Sequence, residues 1–229
     1  MTKPVFLLFS LMTLCFSCKT AYVPNTVNVP LFDDAGQIRL SGDLAGNVQF
    51  AASLGNSFAI MANGMFKKEG EETDLVYGKG SFGEIGIGGF SRSRTNLKYE
   101  AFVGAGLGKT YTKDNGKTFE ATGARFFFQP ILGYHHSILE LAFTPRLVAG
   151  KFQKPTTSYT TPELVSNNLA DINKPVWMFL EPAVTARVGY KWLKLQLQLG
   201  RSIKLNDQAL SYKKEFTSLG VIFDLGREY

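Results

Sequence analysis

The chain has few of the residues that form disulfides or metal sites. Its two cysteines, Cys15 and Cys18, both lie near the N-terminus of the 229 residues, so disulfides cannot cross-link the rest of the fold. The only histidines, His135 and His136, are adjacent. Neighbouring strand residues point to opposite faces, so the two cannot readily chelate one metal ion. The composition therefore predicts no metal site and no cofactor.

Charge is also scarce, at 19% of residues, and the net charge of +6 comes from dispersed Lys and Arg residues. Without a clustered basic stripe, nucleic-acid binding is not expected. The stretch "GAGLGKT", residues 104–110, lacks the spacing of a phosphate-binding loop. A lipid-modifying enzyme would need converging Ser, Asp or His residues, and the sequence shows no such set. We therefore predict a protein that is not an enzyme.

The longest apolar run is "PVFLLFSLMTLCFSC", which is too short to span a membrane as a helix and is typical of a signal peptide. Ser17-Cys18 resembles the lipobox of bacterial lipoproteins, although Cys15 and Phe16 depart from its commonest form. The resemblance implies lipidation at Cys18, and ordinary cleavage near Ala21 is the alternative. We divide the chain into a signal peptide (1–17), a lipidated Cys with a periplasmic linker (18–36) and a barrel (37–229). Because Lys19-Thr20-Ala21, directly after Cys18, contains no acidic cluster, the anchor and the N-terminus are expected on the periplasmic side.

The rest of the chain offers no convincing amphipathic helix, but it offers segments that alternate apolar and polar residues, as β-strands do. We place strands at about 37–45, 47–54, 57–66, 80–90, 97–109, 122–135, 138–152, 176–190, 192–203 and 216–226. From the third strand onwards the connections alternate between long and short, with "TKDNGKTFEA" (residues 112–121) among the long ones. This pattern is typical of outer-membrane barrels. We predict an all-β fold, a single antiparallel up-and-down transmembrane β-barrel of eight to ten strands, with ten favoured.

Each strand has one clearly apolar face, as in "KWLKLQLQLG", where Leu193, Leu195, Leu197 and Leu199 alternate with polar residues. A soluble lipocalin-like barrel would show the same alternation and remains the alternative fold. The opposite face is rich in glycine with isolated charges, which favours a narrow polar lumen over a solvated surface. We predict that the apolar face contacts lipid and that a charge network fills the lumen, comprising Arg39, Glu84, Glu100, Arg125, Glu140, Arg146, Glu181 and Arg187.

Three prolines, Pro130, Pro145 and Pro182, lie within consecutive strands, where each removes a hydrogen bond from the ladder. Their distances from the short turns predict similar heights in the barrel wall. Bulges that bend a narrow barrel are the simple interpretation. A lateral seam that admits a hydrophobic molecule or lipid is the functional alternative.

The last strand ends in "SLGVIFDL", in which Ser218, Gly220, Phe223 and Leu225 match the C-terminal signal by which outer-membrane barrels are recognised for assembly. From Cys18 onwards the chain resembles the small outer-membrane β-barrel proteins of Bacteroidota. The resemblance implies outer-membrane location and transient contact with the barrel-assembly machinery. It implies no particular activity.

We therefore expect a monomeric, non-catalytic outer-membrane lipoprotein with an envelope-structural or surface-interaction role. Its partners would be outer-membrane lipids and lipopolysaccharide. The basic residues available to meet anionic head groups lie in the predicted loops and are Lys67, Lys68, Lys113, Lys117, Lys213 and Lys214. The alternative function is a binder or transporter of a small hydrophobic molecule, entering through the proline seam.

Overall fold

In the described chain, residues 20–92 and 95–226 of a computed structural model, nearly all of the regular secondary structure is β-strand. Ten long strands form a closed antiparallel barrel, which confirms the predicted fold class and the favoured strand number. They are β1 (Ile38–Asp43), β2 (Asn47–Ser53), β3 (Phe58–Glu69), β4 (Val76–Phe90), β5 (Leu97–Asp114), β6 (Lys117–His135), β7 (Leu139–Phe152), β9 (Trp177–Tyr190), β10 (Leu193–Arg201) and β12 (Glu215–Leu225).

The barrel closes through its last strand, because β12 pairs with β1 on one side and with β10 on the other. Two short strands, β8 (Thr156–Thr157) and β11 (Ile203–Lys204), add to β6 and β9. The loop between β8 and β9 contains a single turn of helix, α1 (Thr161–Ser166), opened by a capping box between Thr160 and Glu163. Among the described residues, no helix is both long enough and apolar enough to cross a membrane.

The two ends of the barrel differ in their connections. At the short-turn end, residues 54–57, 136–138 and 191–192 join consecutive strands. At the long-loop end, the connections include residues 153–176 and 202–214. One predicted long loop is wrong, because β5 and β6 continue to a two-residue turn at Asn115-Gly116, with φ angles of 49° and 80°. An Asn-Gly pair readily adopts this left-handed conformation, so the sequence "DNGK" encodes a hairpin.

An apolar band surrounds the barrel on its outer surface. Alternate residues from Leu97 to Leu107 on β5, and from Leu139 to Ala149 on β7, are apolar and face outwards. The next outward positions towards the long-loop end are Lys109 and Lys151. Ten residue steps of about 3.3 Å, tilted by about 40°, give the band a height of about 25 Å.

The four leucines of "KWLKLQLQLG" belong to this band. Leu193, Leu195, Leu197 and Leu199 are 39–58% exposed, whereas Lys194, Gln196 and Gln198 are at most 2% exposed. The leucine face therefore lies outside and the polar face lies inside. A soluble barrel with an apolar interior has the opposite arrangement.

The segment that we interpreted as a linker lies inside the barrel. From Thr20 to Phe32 the chain is extended, and Val27, Val29, Leu31 and Phe32 have no exposed surface. We name residues 20–32 the plug. The plug starts at the long-loop end, where Tyr22 bridges Tyr212, and it ends near the short-turn end, where the Phe32 and Phe90 rings lie 5.5 Å apart. Of the predicted linker, residues 21–32 are thus an integral part of the barrel interior.

Candidate functional site

Ion pairs fill the lumen towards the short-turn end. Glu140 at the start of β7 accepts two hydrogen bonds from the Arg39 guanidinium, at 2.9 and 3.0 Å. It also pairs with Arg187 and Lys194, each at 2.9 Å, and His135 Nδ1 lies 2.9 Å from Oε1. A single carboxylate on β7 thus ties together residues of β1, β9 and β10 as well as the end of β6. Asp224 on β12 adds a second carboxylate, 2.8 Å from Arg39.

A second cluster lies midway along the lumen around Glu84. This carboxylate pairs with Arg146 and, at 2.8 Å, with Arg125, and it accepts hydrogen bonds from the side-chain amides of Asn63 and Asn25. All of these groups are buried. Because the two guanidinium groups are each held by more than one partner, the geometry of this polar core is well defined.

The plug is fixed by hydrogen bonds to strand residues. Gln198 both donates to the Val27 carbonyl, at 3.0 Å, and accepts from the Val27 amide, at 2.8 Å, so its side chain substitutes for a neighbouring strand. Glu100 accepts the amides of Leu31 and Phe32 at 3.1 and 2.6 Å. Backbone N–H and C=O groups that are buried away from water need hydrogen-bond partners, and for the plug the lumen side chains supply them.

All eight residues predicted for the charge network lie in the lumen, at 5% exposure or less. Six of them belong to the two clusters, and Glu100 and Glu181 bind the plug directly. Glu181 accepts hydrogen bonds from the hydroxyls of Tyr22, at 2.6 Å, and Ser202, at 2.7 Å. The structure therefore brings the predicted residues together around the plug.

Towards the long-loop end the lumen is open. A cavity of about 380 Å³ lies above the plug, and we name it the upper cavity. Its floor includes Tyr22 and Arg125 and its walls include the rings of Phe82, Phe152 and Trp177. The Arg125 guanidinium stacks 3.6 Å from the centre of the Phe82 ring, which covers this cation with an apolar surface.

Glycines make room for these rings. A Cβ atom at Gly108 would overlap the ring of Phe82, and one at Gly123 would lie 3.0 Å from the ring of Phe152. At Gly80, higher on the wall, the nearest atom to a Cβ would be the Lys109 carbonyl oxygen at 3.7 Å, so this part of the wall is open. The glycine-rich faces of β4, β5 and β6 therefore shape the upper cavity.

The three prolines lie in one row. Pro145 is directly paired with Pro182, and the β6–β7 register, which stops at Phe128–Leu147 and resumes at Leu132–Phe143, puts Pro130 opposite Pro145. The predicted similar heights agree with this register. Immediately inside the row, Gln129, Thr144 and Arg146 are completely buried. The ladder between β6 and β7 is interrupted at this height, but the interruption faces packed lumen and not the upper cavity.

The predicted assembly residues all lie on β12. Ser218 faces the lumen and donates to Asp43 at 2.5 Å, while Phe223 and Leu225 face outwards. Gly220 lies where a Cβ would meet the backbone of Gly42 and Asp43 on the neighbouring strand. The predicted lipidation site, Cys18, lies outside the described residues.

Two of the predicted loop lysines are engaged within the long-loop end. Lys113 donates to the Glu72 carbonyl at 2.8 Å, and Lys117 pairs with Glu163. Lys68 and Lys214 are exposed, and Lys67 and Lys213 are partly exposed. In the described part of the chain, no group of three or more His, Cys, Asp or Glu residues could hold a metal ion.

The plug and its ligands, including Tyr22, Asn25 and Asn28, were not predicted from the sequence, and neither was Asp224. A signal was available, because "VPNTVNVPLF" has no charge and no glycine. A solvated linker usually has a more polar composition than this. Asp224 stands on the lumen face of β12, where it is 2% exposed, and alternation along that strand could have found it. Compared with known proteins, the chain matches no family model, no curated protein and no solved structure.

Proposed function

We propose that this chain is a monomeric, plugged outer-membrane β-barrel that performs no catalysis and serves the envelope as a structural or surface-interaction protein. The observation that carries the proposal is the outward apolar band of about 25 Å, the height of the lipid-facing band of known outer-membrane barrels. In water such a band would be an aggregation surface, since soluble monomers rarely expose large apolar patches.

The membrane setting is tested by heat-modifiability. We expect the protein extracted from membranes in detergent to migrate differently on gels before and after boiling, because a folded barrel resists unfolding by the gel detergent. It should also stay in the membrane during alkaline carbonate extraction. Release by carbonate, together with unchanged mobility on boiling, would contradict the proposal.

The filled lumen supports a barrel that does not conduct. The plug and the ion-pair clusters occupy the lower and middle lumen, and Val27, Arg146 and Gln198 have no accessible surface. In planar bilayers we expect the full chain to show no steady ionic current. Removing residues 20–32 should produce a conducting or unstable barrel, whereas a steady current through the full chain would contradict the plugged state.

The path of the plug changes the expected position of the N-terminus. Outer-membrane barrels keep their short turns in the periplasm. With that orientation, Thr20 to Tyr22 lie at the extracellular end, next to the loop containing Tyr212. We therefore propose that the N-terminus, and any lipid attached to Cys18, is on the cell-surface side rather than the periplasmic side.

An epitope inserted after Cys18 tests this orientation. On intact cells we expect antibody binding to this epitope and loss of the epitope to external protease. The matched control is the same epitope in the turn at residues 136–138, which should be protected until the outer membrane is opened. The reverse pattern would restore a periplasmic N-terminus.

A further inference from the structure

The upper cavity is apolar inside and basic at its mouth. Its apolar lining residues include Phe82 and Phe152, which are partly exposed, and Trp177 and Phe179, which are buried. Its charged lining residues are one carboxylate, Glu69, and six cations: Lys67, Lys79, Lys109, Arg125, Lys151 and Lys213. A cavity of about 380 Å³ falls in the range of small-molecule sites, which combine apolar walls with a few placed polar groups.

Of these cations, Lys79, Lys109 and Lys151 stand at outward positions of their strands. Arg125 pairs with Glu84, Lys79 with Glu72 at 3.2 Å, and Lys109 with Glu120 at 2.9 Å.

Lys67 and Lys213 both line the upper cavity. Alternation along β3 places Lys67 on the same lumen face as the buried Met65. Glu69 is the one carboxylate among the charged lining residues. Two cations on the wall of one apolar cavity favour an anionic ligand there.

We propose that the upper cavity binds a single-chain anionic amphiphile of the fatty-acid class, with its tail among the aromatic rings and its carboxylate between Lys67 and Lys213. The ligand would enter from the long-loop end. The proline row is not the route, since the residues behind it are buried. This inference rests on the proposed membrane barrel for its setting and adds a ligand to it.

The two tryptophans make the proposal directly measurable. Trp177 lines the upper cavity and is 1% exposed, whereas Trp192 lies at the short-turn end and is 53% exposed. Replacing Trp192 by Phe leaves Trp177 as the only indole. In lipid nanodiscs, we expect omega-brominated dodecanoate to quench the Trp177 fluorescence of the full-length W192F chain with a saturable dependence on concentration.

The bilayer control separates failure of the ligand site from failure of the membrane setting. In nanodiscs of brominated phospholipid, the W177F chain should be quenched through Trp192 and the W192F chain should not be. Loss of this difference contradicts the membrane barrel. With the difference present, an absence of saturable quenching by the brominated dodecanoate overturns the ligand site alone.

A paired substitution on β4 tests the location. Gly80 faces the cavity wall, whereas Gly83 faces outwards and a Cβ added there would meet no atom within 4 Å. In the W192F background, Gly80→Leu should abolish saturable quenching, while Gly83→Leu should leave it unchanged. Equal binding by both variants would overturn the assignment of the cavity.

The role of charge is tested by Lys67→Gln, with Lys214→Gln as the matched control on the neighbouring loop. We expect the first to weaken binding roughly two- to fivefold, the range for a partly exposed ion pair, and the second to have no effect. The neutral methyl ester should bind more weakly by a similar factor. Equal affinity for the acid and its methyl ester would overturn the proposal of an anionic ligand. Binding that is seen only when Cys18 is replaced by Ala would overturn the proposal of a free ligand, because it would assign the cavity to the protein's own lipid.

Discussion

The two halves of the lumen are built on the same strands but are filled in opposite ways. Towards the short turns, β6 presents Gln129 and Ile131 to the plug, and the space is closed by hydrogen bonds and ion pairs. Towards the long loops, the same face of β6 presents Ala121 and Gly123 to an open cavity. The difference shows that side-chain size along one face, and not the strand number, decides where a small barrel is solid and where it can hold a ligand.

The largest expected effect comes from breaking the solid half. Replacing Glu140 by Gln leaves Arg39, Arg187 and Lys194 buried around a neutral group, and removing one partner of a buried ion pair typically costs about 3–5 kcal/mol. We expect a large fall in the free energy of unfolding, measured by urea titration in detergent. The control is Glu120→Gln at the partly exposed Lys109 pair, which should cost less than about 1 kcal/mol. Similar losses in both variants would contradict the comparison.

Glycine substitutions compare the middle of the barrel with the upper cavity. A Cβ at Gly104 would overlap the Ile85 carbonyl oxygen and the Phe127 ring, whereas one at Gly80 meets nothing closer than 3.7 Å. We expect Gly104→Ala to destabilise the barrel by about 1–3 kcal/mol through overpacking. Gly80→Ala should change stability by less than about 0.5 kcal/mol. The temperature at which the folded band disappears from gels measures both, and equal shifts would show that the upper wall is packed.

A smaller effect is expected at the tip of the β5–β6 hairpin. Gly116 has a φ angle of 80°, and alanine is strained there. Gly116→Ala should cost about 1 kcal/mol locally, seen as faster proteolysis between Asp114 and Lys117 without a change in heat-modifiability. A loss of the whole folded band would mean that this hairpin is needed for the barrel itself.

The smallest effect is a pH dependence at α1. Hydrogen bonds from Lys117 and Thr160 lower the pKa of Glu163 to about 2. A carboxyl group whose pKa is lower in the folded than in the unfolded protein stabilises the fold at pH values above its unfolded pKa of about 4.3. This stabilisation is lost as the pH falls towards the folded pKa. We expect protection of the 153–176 loop from an acid protease to decrease between about pH 4 and pH 2. Glu163→Gln should abolish this dependence, and a dependence that persists in the variant would assign it to another group.

Much of the barrel was predictable because alternation has a period of two that a short sequence window reveals. It placed Leu195 and Gln198 on opposite faces, and the structure agrees. The lumen charges were predictable for the same reason, since Glu84 and Arg125 are isolated polar residues on strands with one apolar face. The two-residue turn at Asn115-Gly116 was missed, although "NG" is a strong hairpin signal.

The plug and the upper cavity could not be derived in this way. Val27 and Val29 are of a residue type that is enriched in β-strands. The backbone of Val27 is nevertheless paired with the side chain of Gln198, which lies 171 residues further along the chain. No local pattern specifies such a pairing. The proline row also needed the register, because Pro145 and Pro182 face each other only when β7 and β9 align as they do.

The sequence by itself determined the all-β barrel class, the two faces of each strand and the positions of the glycines, since each depends on residue type and on spacing along one strand. The tertiary structure alone decided which carboxylate holds which cations, that residues 20–32 run through the lumen, and where space remains. These features depend on distances between strands that are remote in the sequence. They are settled only when the barrel closes.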